Sequence, residues 1–217
     1  HFFLGGLVLL GCAATSAGES WPEFRGPFGD GHVQAPGDTT PTGLPTTWSE
    51  TENVAWKTAI PLKGWSTPVV MDGQVWLTTA TDNGQSLRAI CVDRNTGAIR
   101  QNVEVFQLKS AAQTHAKNSH ASPTPLLEGD KVYLHFGAMG TACLTQSGEI
   151  VWKTKLEYDN GQHGPGGSPV LYENLLLVNC DGQSEQFVVA LDKLTGKVRW
   201  RKNRQGAQAY ATPLIVR

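Results

Sequence analysis

The chain has 217 residues, with 18 Lys and Arg against 19 Asp and Glu, and charged residues make up only 17% of it, below the roughly 25% of ordinary soluble domains. The basic residues are scattered rather than gathered on one face, which excludes a nucleic-acid partner. Its 24 Gly and 12 Pro favour many short strands joined by tight turns over helices.

An apolar run from Phe2 to Leu10 opens the chain, too short to cross a bilayer and of the length of a signal-peptide core. Export is the expected fate. No initiator Met and no basic segment precede the run, so further residues are expected before it. Two processing routes stay open. Leu9-Leu10-Gly11-Cys12 resembles a bacterial lipobox, which makes Cys12 a lipidation candidate and a membrane attachment point, whereas Thr15-Ser16-Ala17 suits ordinary signal peptidase. Residues 1–17 are therefore read as a signal peptide or lipoprotein signal, 18–55 as an N-terminal extended segment and 56–217 as a repeat region.

The first repeat begins at Ser66-Thr67-Pro68. A strand over Val69 to Met71 meets Asp72-Gly73, a strong hairpin signal because both central residues of a type I′ turn need positive φ. Val75 to Thr79 returns, and a third strand, Leu87 to Asp93, runs into Arg94-Asn95-Thr96-Gly97. After an insertion around Gln107 to Lys117 the order recurs: Leu126-Leu127, a turn, Val132 to Phe136, Ala142 to Thr145, the turn Gln146-Ser147-Gly148, and Glu149 to Trp152. The third copy turns at Glu173-Asn174 into Leu175 to Val178, then continues as Phe187 to Asp192, the turn Lys193 to Gly196, and Lys197 to Trp200. Pro125, Pro169 and Pro213 follow at intervals of 44 residues, and Pro68 stands 57 before Pro125 because of the insertion. Four short strands in each period of this length are the blade of a β-propeller. The fold class expected is all-β, with strands apolar on both faces, such as Leu175 to Val178, suiting blades stacked on each other.

Cys91, Cys143 and Cys180 lie inside apolar runs and are odd in number once Cys12 is set aside, so buried free thiols are expected. Without a Cys-x-x-Cys pair a zinc knuckle has no support.

Loops that enter the innermost strand of each blade share one mouth of a propeller. Here they carry Trp65, His115, Lys117, His120, His163 and Tyr210, which are the ligand-rim candidates. Imidazole is a common metal ligand, but His115 and His120 stand five apart in a loop and a loop carbonyl satisfies each equally well, so no metal is assigned. Gly164-Pro165-Gly166-Gly167 precedes no helix pattern and lacks a following Lys-Ser or Lys-Thr, which makes it a turn rather than a phosphate cradle. Gly64-Trp65-Ser66 is not the elbow of a serine hydrolase. No catalytic residue is assigned.

The stretch from Val189 through Asp192, Thr195-Gly196 and Trp200 resembles the repeat of propellers of the pyrroloquinoline-quinone (PQQ) type, in which a strand ending in Asp, a Thr-Gly turn and a Trp mark each blade. The likeness runs from Trp56 to the C-terminus, and Trp21-Pro22-Glu23-Phe24-Arg25-Gly26-Pro27 resembles the opening of exported bacterial members. The resemblance implies that Trp56, Trp152 and Trp200 dock neighbouring blades. It also implies seven or eight blades, so that the chain is expected to be an N-terminal fragment of about three blades and the start of a fourth. Members of this type include PQQ- and calcium-dependent dehydrogenases of alcohols or sugars, with an Asp base and an adjacent Cys pair, and BamB-like envelope proteins without a cofactor. No adjacent Cys pair occurs here, and no Asp, Glu or Asn matches the calcium ligands. The expectation is a non-catalytic scaffold without cofactor, periplasmic or at the outer membrane, that recognises a protein or peptide partner at one mouth. The alternative is a PQQ-dependent oxidoreductase.

Overall fold

The computed structural model describes residues 20–216, and Cys12 with the rest of the apolar leader lies outside them. Among the described residues there is no helix, and twelve strands form three four-stranded antiparallel sheets, each a meander in chain order. Blade I comprises β1 (Val69–Met71), β2 (Gln74–Ala80), β3 (Ser86–Asp93) and β4 (Ile99–Gln107). Blade II comprises β5 (Leu126–Glu128), β6 (Lys131–His135), β7 (Thr141–Thr145) and β8 (Ile150–Thr154), and blade III β9 (Val170–Tyr172), β10 (Leu175–Asp181), β11 (Gln186–Asp192) and β12 (Val198–Asn203). These are successive blades of a β-propeller.

Local chemistry explains the repetition. Asp72 and Gly73 take φ of 50° and 74°, the left-handed pair that a two-residue hairpin needs. At the other end of blades I and III an Asp closes the turn between strands three and four: Asp93 Oδ1 accepts from the Asn95 and Thr96 amides at 2.9 and 2.7 Å, and Asp192 Oδ1 from those of Leu194 and Thr195 at 3.1 and 2.9 Å. The first of these arrangements, led by the Thr96 amide, holds the Asp93 carboxyl down at about 2. In every blade the pairing of strands three and four slips at one equivalent place, Cys91/Val92, Cys143/Leu144 and Ala190/Leu191, and blade I slips a second time at Leu87/Arg88. Such bulges increase local twist.

One expectation needs correction. β4 continues through Gln107, so the insertion starts at Leu108, and part of the longer first period is a nine-residue outer strand. Its neighbour β3 is itself eight residues long and holds it in register to the Ser86–Gln107 pair.

Two apolar layers hold the blades together. Between I and II lie Val69, Trp76, Leu87, Leu134 and Phe136; between II and III lie Tyr133, Trp152, Leu176, Val178 and Phe187. Cys91, Cys143 and Cys180 are buried free thiols, and burial pushes their pKa values up to about 11, 12 and 12, which leaves them inert small apolar groups.

Two polar devices repeat at these layers. Near the mouth, the Thr67 amide donates to Thr124 Oγ1 (3.1 Å), the Thr124 amide to Ser168 Oγ (2.9 Å) and the Ser168 amide to Thr212 Oγ1 (3.1 Å). Each hydroxyl belongs to the residue before the repeat proline, so the motif is an inter-blade tie as well as a strand start. At the opposite end, Trp56 Nε1 donates to the Arg94 carbonyl (2.8 Å) and Trp152 Nε1 to the Lys193 carbonyl (3.0 Å), with Thr58 and Thr154 hydroxyls donating to the carbonyls of Gly97 and Gly196. Gly97 and Gly196 have positive φ, and a Cβ there would stand within 2.6 and 2.5 Å of the indole carbons. Trp200 meets no such turn among the described residues and is 42% exposed.

Candidate functional site

The connections from a fourth strand to the next first strand gather at one mouth, and the insertion after β4 shapes it. The Leu108 amide donates to the Gln85 carbonyl (2.7 Å) and the Ala112 amide to that of Asn83 (3.1 Å), which lays the insertion along the β2–β3 loop of its own blade. From there it reaches the blade II–III connection: Asn118 Nδ2 donates to the carbonyls of His163 (2.7 Å) and Pro165 (3.0 Å), and Thr114 Oγ1 to that of His163 (3.3 Å).

The result is a row of exposed rings. His115 and His163 lie 5.6 Å apart between centroids with their planes tilted by 52°, and His163 meets Tyr210 edge-on at 5.9 Å. The Lys117 amide donates to His115 Nδ1 (3.1 Å), which fixes the ring against its own loop. Lys117 itself is exposed beside the row. Tyr210 is carried by a loop whose anchor is buried: Asp181, its side chain 2% exposed, takes both Arg204 Nη2 contacts at 2.7 Å and accepts from the Ala209 amide at 3.1 Å. Beneath it His135 is fully enclosed, its Nδ1 2.9 Å from Thr141 Oγ1 and its Nε2 3.5 Å from the Tyr158 hydroxyl. Burial drives the His135 pKa down to about 3, so the ring is neutral.

Of the six rim candidates, three form this row and Lys117 flanks it. Trp65 is 57% exposed with Lys63 Nζ 5.8 Å over its ring, and no ring contact joins it to the row. His120 is withdrawn from the mouth: it is 3% exposed, its Nε2 is 2.9 Å from the Ala112 carbonyl, and its ring lies against Gly84. It props up the insertion instead of facing a ligand. Sequence reasoning missed Asn118, Thr114, Asp181 and Arg204, which set the loops. Their residue types suit loop anchoring, but the partners lie on other blades and no spacing points to them.

A match to known proteins decides the family. The family model described as outer membrane protein assembly factor BamB matches residues 25–162 and again 91–217. The chain belongs to this family of PQQ-type repeat proteins. No protein with a curated description matches it. Among solved structures, BamB from Moraxella catarrhalis is 23% identical, with a TM-score of 0.45 over 66% of this chain and 41% of that one. A europium-containing methanol dehydrogenase is 18% identical (TM-score 0.48; 64% of this chain, 24% of that one), and quinohemoprotein alcohol dehydrogenase from Comamonas testosteroni also 18% (TM-score 0.48; 65% and 21%). The chain thus spans about a quarter of the dehydrogenases and two fifths of BamB.

The PQQ-dependent alternative raises the question of a quinone with its metal. Among the described residues no group of three or more His, Cys, Asp or Glu side chains is arranged to hold a metal ion. Among the described residues at the mouth, the buried carboxylate of Asp181 is already engaged by Arg204, and the three described thiols are separate and enclosed. The described residues of this BamB-family chain do not fit that cofactor.

Proposed function

We propose that the protein is a non-catalytic scaffold of the bacterial cell envelope that recognises a protein or peptide partner at the mouth bearing His115, His163 and Tyr210. The exposed aromatic row carries this reading. Tyr210 offers a rigid aromatic anchor of the kind found at partner-binding hot spots, at little entropic cost, and the two imidazoles beside it add hydrogen-bonding edges. Membership of the BamB family supports a scaffold role. The apolar leader supports export to the periplasm or, through Cys12, attachment at the outer membrane. On this reading residues 56–217 are the propeller body and 18–55 an N-terminal extended segment, tied to it through Trp21 and Pro22.

The test is photo-crosslinking in the native cell envelope from positions 115, 163 and 210, with position 173 at the opposite mouth as control. Adducts of one defined protein from the first three positions and not from the fourth are expected. Adducts only from position 173 would overturn the assignment. A quinone and calcium retained by the gently purified protein, read by native mass spectrometry, would replace it with the oxidoreductase.

A further inference from the structure

The two exposed imidazoles of the mouth hang from loops that are fastened to each other. The Asn118 amide closes a turn on the His115 carbonyl (2.8 Å), and the side chain of the same asparagine donates to the His163 carbonyl (2.7 Å), which also accepts from Thr114 Oγ1 (3.3 Å). The next residue, Gly164, has φ of 80°, and a Cβ on it would collide with Thr114 Oγ1, so the loops meet at a distance that only glycine permits. Both loops are flanked by described strands, one by β4 and β5 and the other by β8 and β9.

Each ring keeps one nitrogen clear. His115 Nδ1 meets the Lys117 amide and His163 Nε2 the Gln162 side-chain amide, both at 3.1 Å, whereas His115 Nε2 and His163 Nδ1 have no hydrogen-bond partner among the described residues. Bonds of about 2.0–2.1 Å from one ion to two imidazole nitrogens put the ring centres about 5–6.5 Å apart, for ligand angles from tetrahedral to linear. The observed separation of 5.6 Å falls inside that range. The planes cross at 52°, and crossing planes share a line on which an ion lies in the plane of both rings, whereas parallel stacked rings have no such line.

We propose that His115 and His163 together bind a divalent transition-metal ion at the mouth, Cu(II) more tightly than Ni(II) or Zn(II). Coordination through His115 Nε2 puts the ring proton on Nδ1 and so exchanges the contact with the Lys117 amide for a metal bond. The Lys117 ammonium, exposed beside the pair, offers no lone pair and is not a ligand. Among the described residues no third His, Cys, Asp or Glu joins the two rings, so water fills the other positions and the ion is exchangeable, unlike one in the closed four-ligand shell of a structural zinc site. Calcium, which takes oxygen ligands, does not suit the pair. The ion goes beyond the partner reading and does not rest on it, because its uptake is a property of the chain alone.

The probe is Cu(II), supplied from a glycine buffer to the full chain, with affinity read by isothermal titration and the ligands by electron paramagnetic resonance. One equivalent should carry the nitrogen couplings of two imidazoles. In His115→Asn, and equally in His163→Asn, that equivalent should bind more weakly by about tenfold or more, the loss that even the outer partners of a metal ligand cause. Both substitutions replace exposed side chains, and an unchanged melting temperature without metal shows that the variants are folded. His32→Asn, which removes an exposed imidazole elsewhere, should leave the equivalent unchanged. Equal weakening by His32→Asn, undiminished binding in both pair variants, or displacement of Cu(II) by calcium overturns the proposal. Crosslinks at the mouth that persist in a chain taking up no Cu(II) remove the ion and leave the partner reading standing; uptake of Cu(II) at the pair without crosslinks supports the ion and removes the partner.

Discussion

The interface between blades I and II and that between II and III solve the same packing problem with different residues. Across strands two, three and four, blade I aligns Trp76, Cys91 and Gln101, whereas blade II aligns Tyr133, Cys143 and Trp152. In blade II the outer-strand indole covers the next blade's turn and donates to the Lys193 carbonyl. In blade I the same position is Gln101, whose Nε2 donates to the Gln146 carbonyl at 2.8 Å, in the same place relative to the strand end. The large ring has moved two strands inward to Trp76, fully buried, with Nε1 on Gln74 Oε1 at 2.7 Å. What each interface needs is one indole's worth of apolar volume and one N–H aimed at the first carbonyl of the neighbouring turn. A Trp on the outer strand supplies both at once; blade I divides them.

If this division is right, Trp152→Ala should be the most damaging change at the second interface, costing about 3–5 kcal/mol because volume and hydrogen bond go together. Urea unfolding of the chain measures it. A loss below about 1 kcal/mol would mean that the docking ring is ornamental.

Acid should strain the second interface before the first. Buried His135, on the blade II side of that layer, is held neutral with a pKa of about 3 against an ordinary value near 6.5. A depressed value means that the unfolded chain takes up a proton between those limits and the folded one does not, so stability present above about 6.5 is lost as pH falls towards 3. Asp93 and Asp159, both held at about 2, begin to lose their contribution only below about 4. Melting temperature should therefore start to drop below pH 6.5 in the native chain, and His135→Gln should flatten the slope between pH 6 and 4.5. An unchanged slope would move the origin of acid sensitivity elsewhere.

Gln101→Ala should cost far less than Trp152→Ala, about 1 kcal/mol. It removes one hydrogen bond to a carbonyl but also a buried Oε1 that has no partner. A cost equal to that of Trp152→Ala, by the same urea titration, would show that the two fourth-strand positions are energetically alike and that Trp76 does not take over the ring's share.

Most of the fold is legible in the sequence because its cues are local. The 44-residue spacing of the prolines, the Asp-Gly turn of blade I and the strand-Asp-Thr-Gly-Trp order of blade III are each read within one repeat, and the other blades keep the same strand order with partial copies of these cues. The docking role of Trp56 and Trp152 is legible for the same reason, whereas Gln101 is silent: nothing in Ile99-Arg100-Gln101-Asn102 says that an amide stands in for an indole. The mouth is half legible. Its loops could be placed by counting strands, but whether a loop histidine faces outward, as His115 and His163 do, or folds inward against Gly84, as His120 does, depends on contacts with the β2–β3 loop that no period encodes.

The smallest expected effect has the opposite sign and sits in the same cross-strand row. Tyr133 is fully buried against Trp152, with ring centroids 6.3 Å apart, and its hydroxyl has no hydrogen-bond partner. Burial raises the phenol's pKa and so keeps the group neutral, but the desolvated O–H still costs free energy that no bond returns. Its counterpart in blade I, Trp76, has its polar edge satisfied by Gln74, and the equivalent place in blade II is taken by Lys131, whose amine turns to Asp130 at 2.6 Å. Tyr133→Phe keeps the ring, the packing against Trp152 and the row while deleting the unsatisfied group. It should leave the chain as stable or raise stability by up to about 1 kcal/mol. A loss of more than about 1 kcal/mol in the urea midpoint, at unchanged slope, would mean that the hydroxyl is bonded in solution, and that the second interface has a polar tie equivalent to the one Gln74 gives Trp76.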